Sequence, residues 1–206
     1  MRYLGPKNRI SRREGVDLEL KTVGSKSHAR LLKKLGVPPG QHGLRKRKKV
    51  SERGTQLREK QKLRYMFGIT ERQLKNYYKK ASMKKGNTAS YLSHSLESRL
   101  DNIVFHLGFA PTRAAARQLI THGHIIVNKK TLSIPSYQVR VGDEISFGDV
   151  KTTKIMYIEA SLDNKDIILP SWLEKKAIIG KLISEPTQEV IEKLINLRLI
   201  IEYYSR

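Results

Sequence analysis

The apolar positions between residues 96 and 147 change from helical spacing to strand-like alternation. The first part predicts an amphipathic helix that ends at Gly108, because its apolar residues recur mostly three or four positions apart. Those residues are Leu96, Leu100, Ile103, Val104 and Leu107. Thr112 is placed to cap a second helix from Arg113 to His122, since its hydroxyl can accept a hydrogen bond from a free backbone N–H group. Gly123 supplies the C-terminal stop.

The segment after Gly123 has the alternation of β-strands separated by turns. Its expected strand residues are Ile125 to Val127, Leu132, Ile134, Val139 to Val141, Ile145 and Phe147, with a turn at Asn128-Lys129-Lys130. A lysine follows Asn128 where glycine is common. Either Asn128 alone therefore takes a positive φ or the turn type differs.

Two more helices are predicted upstream. The first runs from Gln56 to Phe67, with Lys60 and Arg64 stacked at four-residue spacing on its outward side. The second follows Thr70 and Gln73, which form a capping box. Its expected buried positions are Leu74, Tyr77, Tyr78 and Ala81. Residues 1 to 50 show little periodicity apart from a short helix at Lys26 to Leu35, capped by Ser25 or Ser27, and predict an extended arm.

The pattern of apolar and polar residues is less regular in the C-terminal part. Asn164 to Ile168 is interpreted as a strand or turn, and Pro170 to Leu173 as a loop anchored by the only tryptophan. Thr187 is a candidate cap for a helix with Val190, Ile191, Leu194 and Ile195 facing inward. The final stretch, Leu199 to Tyr204, is apolar and β-prone.

The positive charge is concentrated in the first half of the chain. The formal net charge is +22, and residues 1 to 95 hold 26 Lys or Arg against 6 Asp or Glu, whereas the remainder holds 15 against 13. The natural counter-charge is a phosphate backbone, whose released counterions drive association. A solvated tail and a membrane-surface patch are the alternatives. The latter is the weaker, because the basic run Arg45 to Lys49 has no apolar helix face.

The predicted helix after Thr112 carries the clearest candidate for a phosphate-binding site. Arg113 and Arg117 lie four residues apart at its positive end, where dipole, free N–H groups and fixed charge favour one phosphate. Gln118 and His122 lie nearby. We expect replacement of both arginines by alanine to weaken RNA binding and leave the free fold intact.

These residues occur in an order that resembles the S-four RNA-binding domain. The matching positions are Arg99-Leu100-Asp101, Gly108, Thr112-Arg113, Ala116 to Ile120, Gly123, Val127-Asn128, Tyr137 and Gly142-Asp143. Four outer segments resemble the small-subunit ribosomal protein family for which that domain is named: Tyr3 to Gly15, Pro39 to Gly43, Gln56 to Gly68 and Ile201 to Arg206. The outer segments are the more specific, because the domain alone also occurs in RNA enzymes.

The resemblance implies an α+β fold. A helical body formed by residues 51–91 and 170–206 is expected beside an extended basic arm, 1–50. The RNA-binding module would occupy 92–169, with its core at 96–147, as a helix-turn-helix packed on a small, mostly antiparallel β-sheet. Some members hold zinc through cysteines in the arm, but this chain has no cysteine. We therefore expect neither a metal nor another cofactor.

The implied function is that of a primary binder of small-subunit (16S-type) rRNA at a multi-helix junction. It would nucleate the subunit body and contribute to decoding accuracy, beside ribosomal protein families five and twelve, with family three as a further candidate. The expected RNA-binding residues are Arg2, Lys7, Arg9, Arg12, Arg13, Gln41, His42, Arg45, Lys46, Arg47, Lys48, Arg53, Arg58, Lys60, Lys62, Arg64, Arg72, Lys79, Thr112, Arg113, Arg117, Gln118, His122, Asn128 and Lys129.

Two alternatives stay open at this stage. One is a free RNA-binding factor of the heat-shock or ribosome-rescue type built on the same domain. The other is an RNA pseudouridine synthase, because such enzymes carry a catalytic aspartate in a triplet like Arg99-Leu100-Asp101. Catalysis is disfavoured because Asp101 is expected on the exposed side of its helix and residues 148 to 206 are too few for a catalytic domain. A cytoplasmic protein without membrane or small-molecule partner is expected, with an organellar ribosome as the other location.

Overall fold

The chain divides into two compact units. The computed structural model describes residues 3–43, 50–162 and 169–205. Unit one comprises the described parts of 1–92 and 189–206, and unit two comprises those of 93–188. The sequence placed the later division at residue 170, so 170–188 belong to a different unit from the one expected. The segment Asn164 to Ile168 lies outside the described residues.

Within the described residues, seven helices are followed by three strands, two helices, two strands and two helices. The helices are α1 (Lys7–Glu14), α2 (Lys26–Lys33), α3 (Glu52–Met66), α4 (Glu71–Ser82), α5 (Thr88–Glu97), α6 (Leu100–His106), α7 (Arg113–Thr121), α8 (Val150–Thr153), α9 (Met156–Leu162), α10 (Glu189–Glu192) and α11 (Leu197–Ser205). The strands are β1 (Ile125–Val127), β2 (Lys130–Thr131), β3 (Glu144–Phe147), β4 (Leu173–Lys176) and β5 (Ile179–Leu182). None of these helices is both long and apolar enough to cross a bilayer.

The predicted caps of unit one are confirmed. The Ser25 hydroxyl accepts a hydrogen bond from the backbone N–H of His28 at 3.2 Å and starts α2. Thr70 and Gln73 form a complete capping box at the start of α4. The helix α1 was not expected. It ends at Gly15 with a φ of +69°, and Ile10 packs in the core, so this part of the chain is not extended.

The β-prone assignment of Leu199 to Tyr204 was wrong, because these residues lie in α11. Leu197 and Ile200, three positions apart, are buried. The helix packs against α3 and α4, and the ring of Tyr204 stacks on Tyr78 with centroids 4.9 Å apart. Burial of this face against two helices outweighs the β-propensity of the isoleucines.

The expected helix over residues 96 to 107 is interrupted. Arg99 has an extended backbone, with φ of −67° and ψ of 136°, and separates α5 from α6. It forms an isolated bridge with Gln138, and the backbone N–H of Val139 donates to the carbonyl of Ser98 at 2.9 Å. The apolar stripe expected on one helix is therefore divided between α5 and α6.

Unit two packs helices on an antiparallel sheet, which confirms the α+β class. The strand order is β2-β1-β3-β5-β4, and all neighbours are antiparallel. The hairpin of β4 and β5 was not expected. It belongs to this sheet because Leu173 and Leu182 are buried in the core. Gly180 is required there, since a Cβ at that position would overlap the side chain of Leu107.

Candidate nucleic-acid interface

The helix α7 has the two faces that the sequence predicts. Ala116, Leu119 and Ile120 are buried in the core of unit two, whereas Gln118 is exposed. The Thr112 hydroxyl accepts from the backbone N–H of Ala115 at 3.2 Å, so the predicted cap is confirmed. The outer face of α7 is therefore held on a rigid support.

The two arginines of α7 are in different environments. Arg113 is buried, and its Nε donates to Oδ1 of Asn102 at 2.8 Å. Its guanidinium lies 4.4 Å from the centroid of the Phe105 ring. Arg117 is also largely covered, but its side chain is 16% exposed. The sequence treated the two arginines as one pair for a phosphate, whereas in the structure Arg113 is engaged with Asn102 and is the more buried of the two.

Asp101 is buried rather than exposed, contrary to the sequence expectation. Asp101 is 2% exposed as a whole residue. It is buried because the break at Arg99 turns this part of α6 toward α7. Arg99 donates to both carboxylate oxygens, from Nε to Oδ1 at 3.0 Å and from Nη2 to Oδ2 at 2.7 Å. Arg117 donates to Oδ2 from Nε at 3.0 Å and also from Nη2. One carboxylate thus holds two guanidiniums.

The side chain of Arg113 is held by a buried network of Asn102, Glu97 and His106. Asn102, which accepts from Arg113, donates from Nδ2 to Oε2 of Glu97 at 2.5 Å. Glu97 is fully buried, and Nε2 of His106 lies 3.3 Å from the same carboxylate oxygen. The side chain of Arg113 is consequently fixed by contacts within unit two.

The turn between β1 and β2 presents two residues of the predicted site. Asn128 and Lys129 have φ of +49° and +65°, so both central residues take the left-handed conformation, as in a type I′ turn. The Asn128 side chain is used internally, since Nδ2 donates to Asp143 at 2.7 Å and Oδ1 accepts from the backbone N–H of Glu144 at 2.9 Å. Lys129 is exposed.

Other polar residues lie on the surface of unit two. His122 is exposed at the end of α7, and its ring centroid is 6.1 Å from that of His124. Within the described ranges, no group of three or more His, Asp or Glu side chains is arranged to hold a metal ion. Lys130 and Arg140 are also exposed. Neither was among the predicted site residues, although Lys130 begins β2 next to the predicted Lys129.

Most predicted site residues of unit one lie at the surface, but several also have partners within the protein. Arg9, Arg13, Arg53, Arg72 and Lys79 are exposed. Arg12 is half-buried and donates to the carbonyls of Val37 and Pro38 at 3.0 and 3.2 Å. It therefore anchors the loop that exposes Gln41 and His42. Lys7 is half-buried, and Arg2, Arg45, Lys46, Arg47 and Lys48 lie outside the described residues.

Lys60 does not lie on an outward face, so that expectation was wrong. It is 5% exposed, and its Nζ donates to Oε1 of Glu71 at 2.9 Å. The same ammonium lies 4.3 Å from the ring centroid of Tyr203. Burial alone would raise the pKa of Glu71, but hydrogen bonds from Lys60 and Tyr204 lower it below its ordinary value.

Further basic side chains of α3 also have internal partners. Lys62 pairs with Glu59 at 2.6 Å, and both side chains are largely buried. Arg58 is exposed but donates to the carbonyl of Arg13 at 3.1 Å and lies 3.5 Å from Glu14. Burial raises the pKa of Glu14, and Arg58 opposes that shift. Arg64 is half-buried, with its guanidinium 4.5 Å from the Tyr65 ring centroid.

Two helices of unit one carry exposed basic rows. On α4, Arg72, Lys75 and Lys79 are exposed at spacings of three and four, opposite the buried Leu74 and Ala81. On α2, Arg30 and Lys33 are exposed next to the buried Leu31. The predicted site omitted Arg30 and Lys33, and helical spacing relative to the apolar positions of α2 was the signal that could have added them. On α4 the same spacing already placed Lys75 with Lys79 on the lysine face expected to contact RNA.

Comparison with known proteins gives matches over the whole chain. Residues 2–97 match the family described as "Ribosomal protein S4/S9 N-terminal domain", and residues 98–145 match the "S4 domain". Similar proteins include the "Small ribosomal subunit protein uS4" of Xanthomonas campestris pv. campestris (strain B100), Xanthomonas axonopodis pv. citri (strain 306) and Xanthomonas oryzae pv. oryzae (strain PXO99A). Each is 42% identical over 208 residues, which cover 100% of this chain and 99% of the relative.

Proposed function

We infer that this chain, which belongs to the uS4 family of small ribosomal subunit proteins, is a structural rRNA-binding component of that subunit. The observation that carries this inference is the match to family members along the entire chain, on a protein with a net charge of +22. The family is structural, so the protein is not an enzyme. The buried, doubly paired Asp101 also argues against the pseudouridine synthase alternative.

The proposed binding mode is recognition of an rRNA multi-helix junction by shape and phosphate position. The major groove of A-form RNA is too narrow for side chains to read bases. Exposed cations on α2 and α4 and at the β1–β2 turn, together with the partly exposed Arg117 of α7, are suited to backbone phosphates instead. Neutralising phosphates of converging RNA helices lowers their repulsion, so binding would nucleate the subunit body.

The predicted site residues fall into two groups in this proposal. The exposed ones contact RNA directly: Arg9, Arg13, Gln41, His42, Arg53, Arg58, Arg72, Lys79, Gln118, His122 and Lys129. Those with internal partners mainly shape the surface, and they include Arg12, Lys60, Lys62, Thr112, Arg113 and Asn128. Arg58 and Arg117 have features of both groups, because each is ion-paired and at least partly exposed.

We propose that the protein lies in cytoplasmic ribosomes beside ribosomal protein families five and twelve, with family three as a further candidate, and that it has a share in decoding accuracy. The bacterial origin of the relatives supports the location. A free factor built on the same domain is the second candidate. It is disfavoured because residues 2–97 match the N-terminal domain of the ribosomal family.

Sedimentation of cell extract at low and high magnesium tests the proposal. We expect the protein to follow the small subunit at both concentrations, because its cations contact rRNA rather than another subunit. Accumulation in fractions that lack small subunits would contradict it. Binding of purified protein to transcribed small-subunit rRNA should weaken by roughly several powers of ten between about 50 and 200 mM salt if about 10 phosphates are neutralised.

A further inference from the structure

Asp101 places a carboxylate under a cationic helix face, where a negative charge should repel RNA. The side chain is 3% exposed and accepts hydrogen bonds from Arg99, which directly precedes α6, and from Arg117 of α7. An arginine on α7 suits an rRNA-binding protein, but a buried acid directly against it requires a separate explanation.

Neutralising Asp101 does not require Arg117. Arg99 already forms a two-point pair with it, Nε to Oδ1 and Nη2 to Oδ2, and its side chain is only 2% exposed. Arg117 joins as a second guanidinium on Oδ2. The cluster therefore holds two positive charges and one negative charge. Its surplus positive charge reaches solvent through Arg117, the most exposed of the three side chains.

We propose that Asp101 is a positioning residue for RNA: it fixes the guanidinium of Arg117 toward a backbone phosphate, while Arg99 offsets the charge of Asp101. The proposal rests on the rRNA-binding function inferred above. A free arginine side chain samples many rotamers, whereas one tethered through Nε and Nη2 has its fork orientation set before RNA arrives. The ligand class is a phosphate diester, since a planar guanidinium matches its oxygens.

The substitution Asp101→Asn separates positioning from simple electrostatics by the sign of its effect. It removes a negative charge, so electrostatics alone would tighten RNA binding. If Asp101 positions Arg117, binding to transcribed small-subunit rRNA should instead weaken by about tenfold, the loss of one charge-assisted contact. The matched control is Glu159→Gln on α9, an exposed acid of the same unit, which should leave affinity equal or slightly higher.

A double-mutant cycle tests whether Asp101 acts through Arg117. In the Arg117→Ala background, Asp101→Asn should change affinity by less than about twofold, because the group it positions is gone. The Arg117→Ala change should lower the salt slope of binding by about 1. All four proteins are compared at a temperature where circular dichroism shows them folded. Equal or tighter binding by Asp101→Asn, or a loss that persists without Arg117, overturns the proposal.

A variant that keeps both charges is needed in case Asp101→Asn does not fold. Arg117→Lys retains an ammonium that can pair with Asp101 but lacks the fork. It should bind RNA about tenfold more weakly, and wild-type affinity in this variant would overturn the positioning role. A wild-type protein that fails to bind the rRNA at physiological salt would overturn the proposed function itself, which is a distinguishable result.

Discussion

The ammonium of Lys60 on α3 lies 2.9 Å from a carboxylate oxygen of Glu71 on α4 and is almost completely enclosed. Tyr204 of α11 donates to the same oxygen at 2.8 Å. Three helices therefore meet at one carboxylate. The charge of Lys60 alone would suggest a contact with RNA, but in the structure this lysine joins α3 to α4 within unit one.

Replacing Lys60 should affect stability more than RNA binding. In Lys60→Met the volume is nearly kept, but the hydrogen bond to Glu71 and the contact with Tyr203 are lost. We expect the free energy of unfolding to fall by about 1–2 kcal/mol. Lys79→Met on the exposed face of α4 is the matched control, with unchanged unfolding and weaker RNA binding. Both variants are measured by denaturant titration and by RNA titration. Unchanged stability of Lys60→Met with weaker RNA binding would refute this role.

Acid should weaken the same contact. The folded pKa of Glu71 lies below its ordinary value of 4.5, so its contribution to stability is present above pH 4.5 and is lost as pH falls through the folded pKa. Because the Glu71 side chain is 42% exposed, solvent screens the contribution to about 0.5–1 kcal/mol. Unfolding of wild type and Glu71→Gln is compared from pH 7 to pH 2.5. The difference should vanish at the acid end, and a constant difference would contradict the linkage.

Alkali should act through Tyr204. Burial, followed by its hydrogen bond to Glu71, raises the pKa of Tyr204 above its ordinary value of 10.0. Its contribution to stability is fully present below pH 10 and is lost as pH rises toward the folded pKa. Between pH 9 and 11.5 the wild type should lose more stability than Tyr204→Phe, measured by denaturant unfolding. Parallel curves for the two proteins would show that this hydroxyl is not linked to folding.

Arg113 should behave as a structural residue of unit two. In Arg113→Met the acceptor Oδ1 of Asn102 loses its donor, and the cation over Phe105 is removed. We expect a loss of about 1–3 kcal/mol in the RNA-free protein. This differs from the expectation, drawn from sequence, that loss of both α7 arginines leaves the free fold intact. Arg140→Met, an exposed arginine of the same unit, should leave the melting temperature unchanged. Equal melting temperatures for the two variants would remove Arg113 from the packing of the unit.

The β1–β2 turn offers a pair of variants with equal charge and opposite stability. Lys129 has a backbone φ of +65°, which glycine adopts with less strain than lysine. Lys129→Gly should therefore stabilise the fold by up to about 1 kcal/mol. Lys130→Gly weakens strand β2 and should destabilise it by about 0.5–1 kcal/mol. Thermal unfolding without RNA distinguishes them. If Lys129 contacts RNA, its variant should bind more weakly despite being more stable.

Local signals in the sequence predicted much of this fold. The caps at Ser25, Thr70 and Thr112 depend on one or two neighbouring residues and were identified correctly. The helix α11 was missed because its apolar residues are also good strand formers, and its partners α3 and α4 are more than a hundred positions away. Spacing within α7 placed its apolar face but could not show that Asn102 and Asp101 reach its arginines.

The prediction of the candidate site from sequence was also limited by contacts between distant residues. A count of lysines and arginines cannot distinguish an exposed cation such as Lys79 from a buried one such as Lys60, since burial depends on tertiary contacts. Helical spacing relative to apolar residues separates some of them, as on α4. The break at Arg99, which buries Asp101, had no local signal comparable to a proline or glycine.

The division of unit one between both ends of the sequence has a consequence for synthesis. Residues 93–188 are contiguous, so unit two can close as soon as they have left the ribosomal exit tunnel. Glu71 and Lys60 are translated early, but Tyr204 reaches them only after residues 189–205 emerge. The nascent chain therefore carries Lys60 and Glu71 without this third partner until residues 189–205 have also left the tunnel.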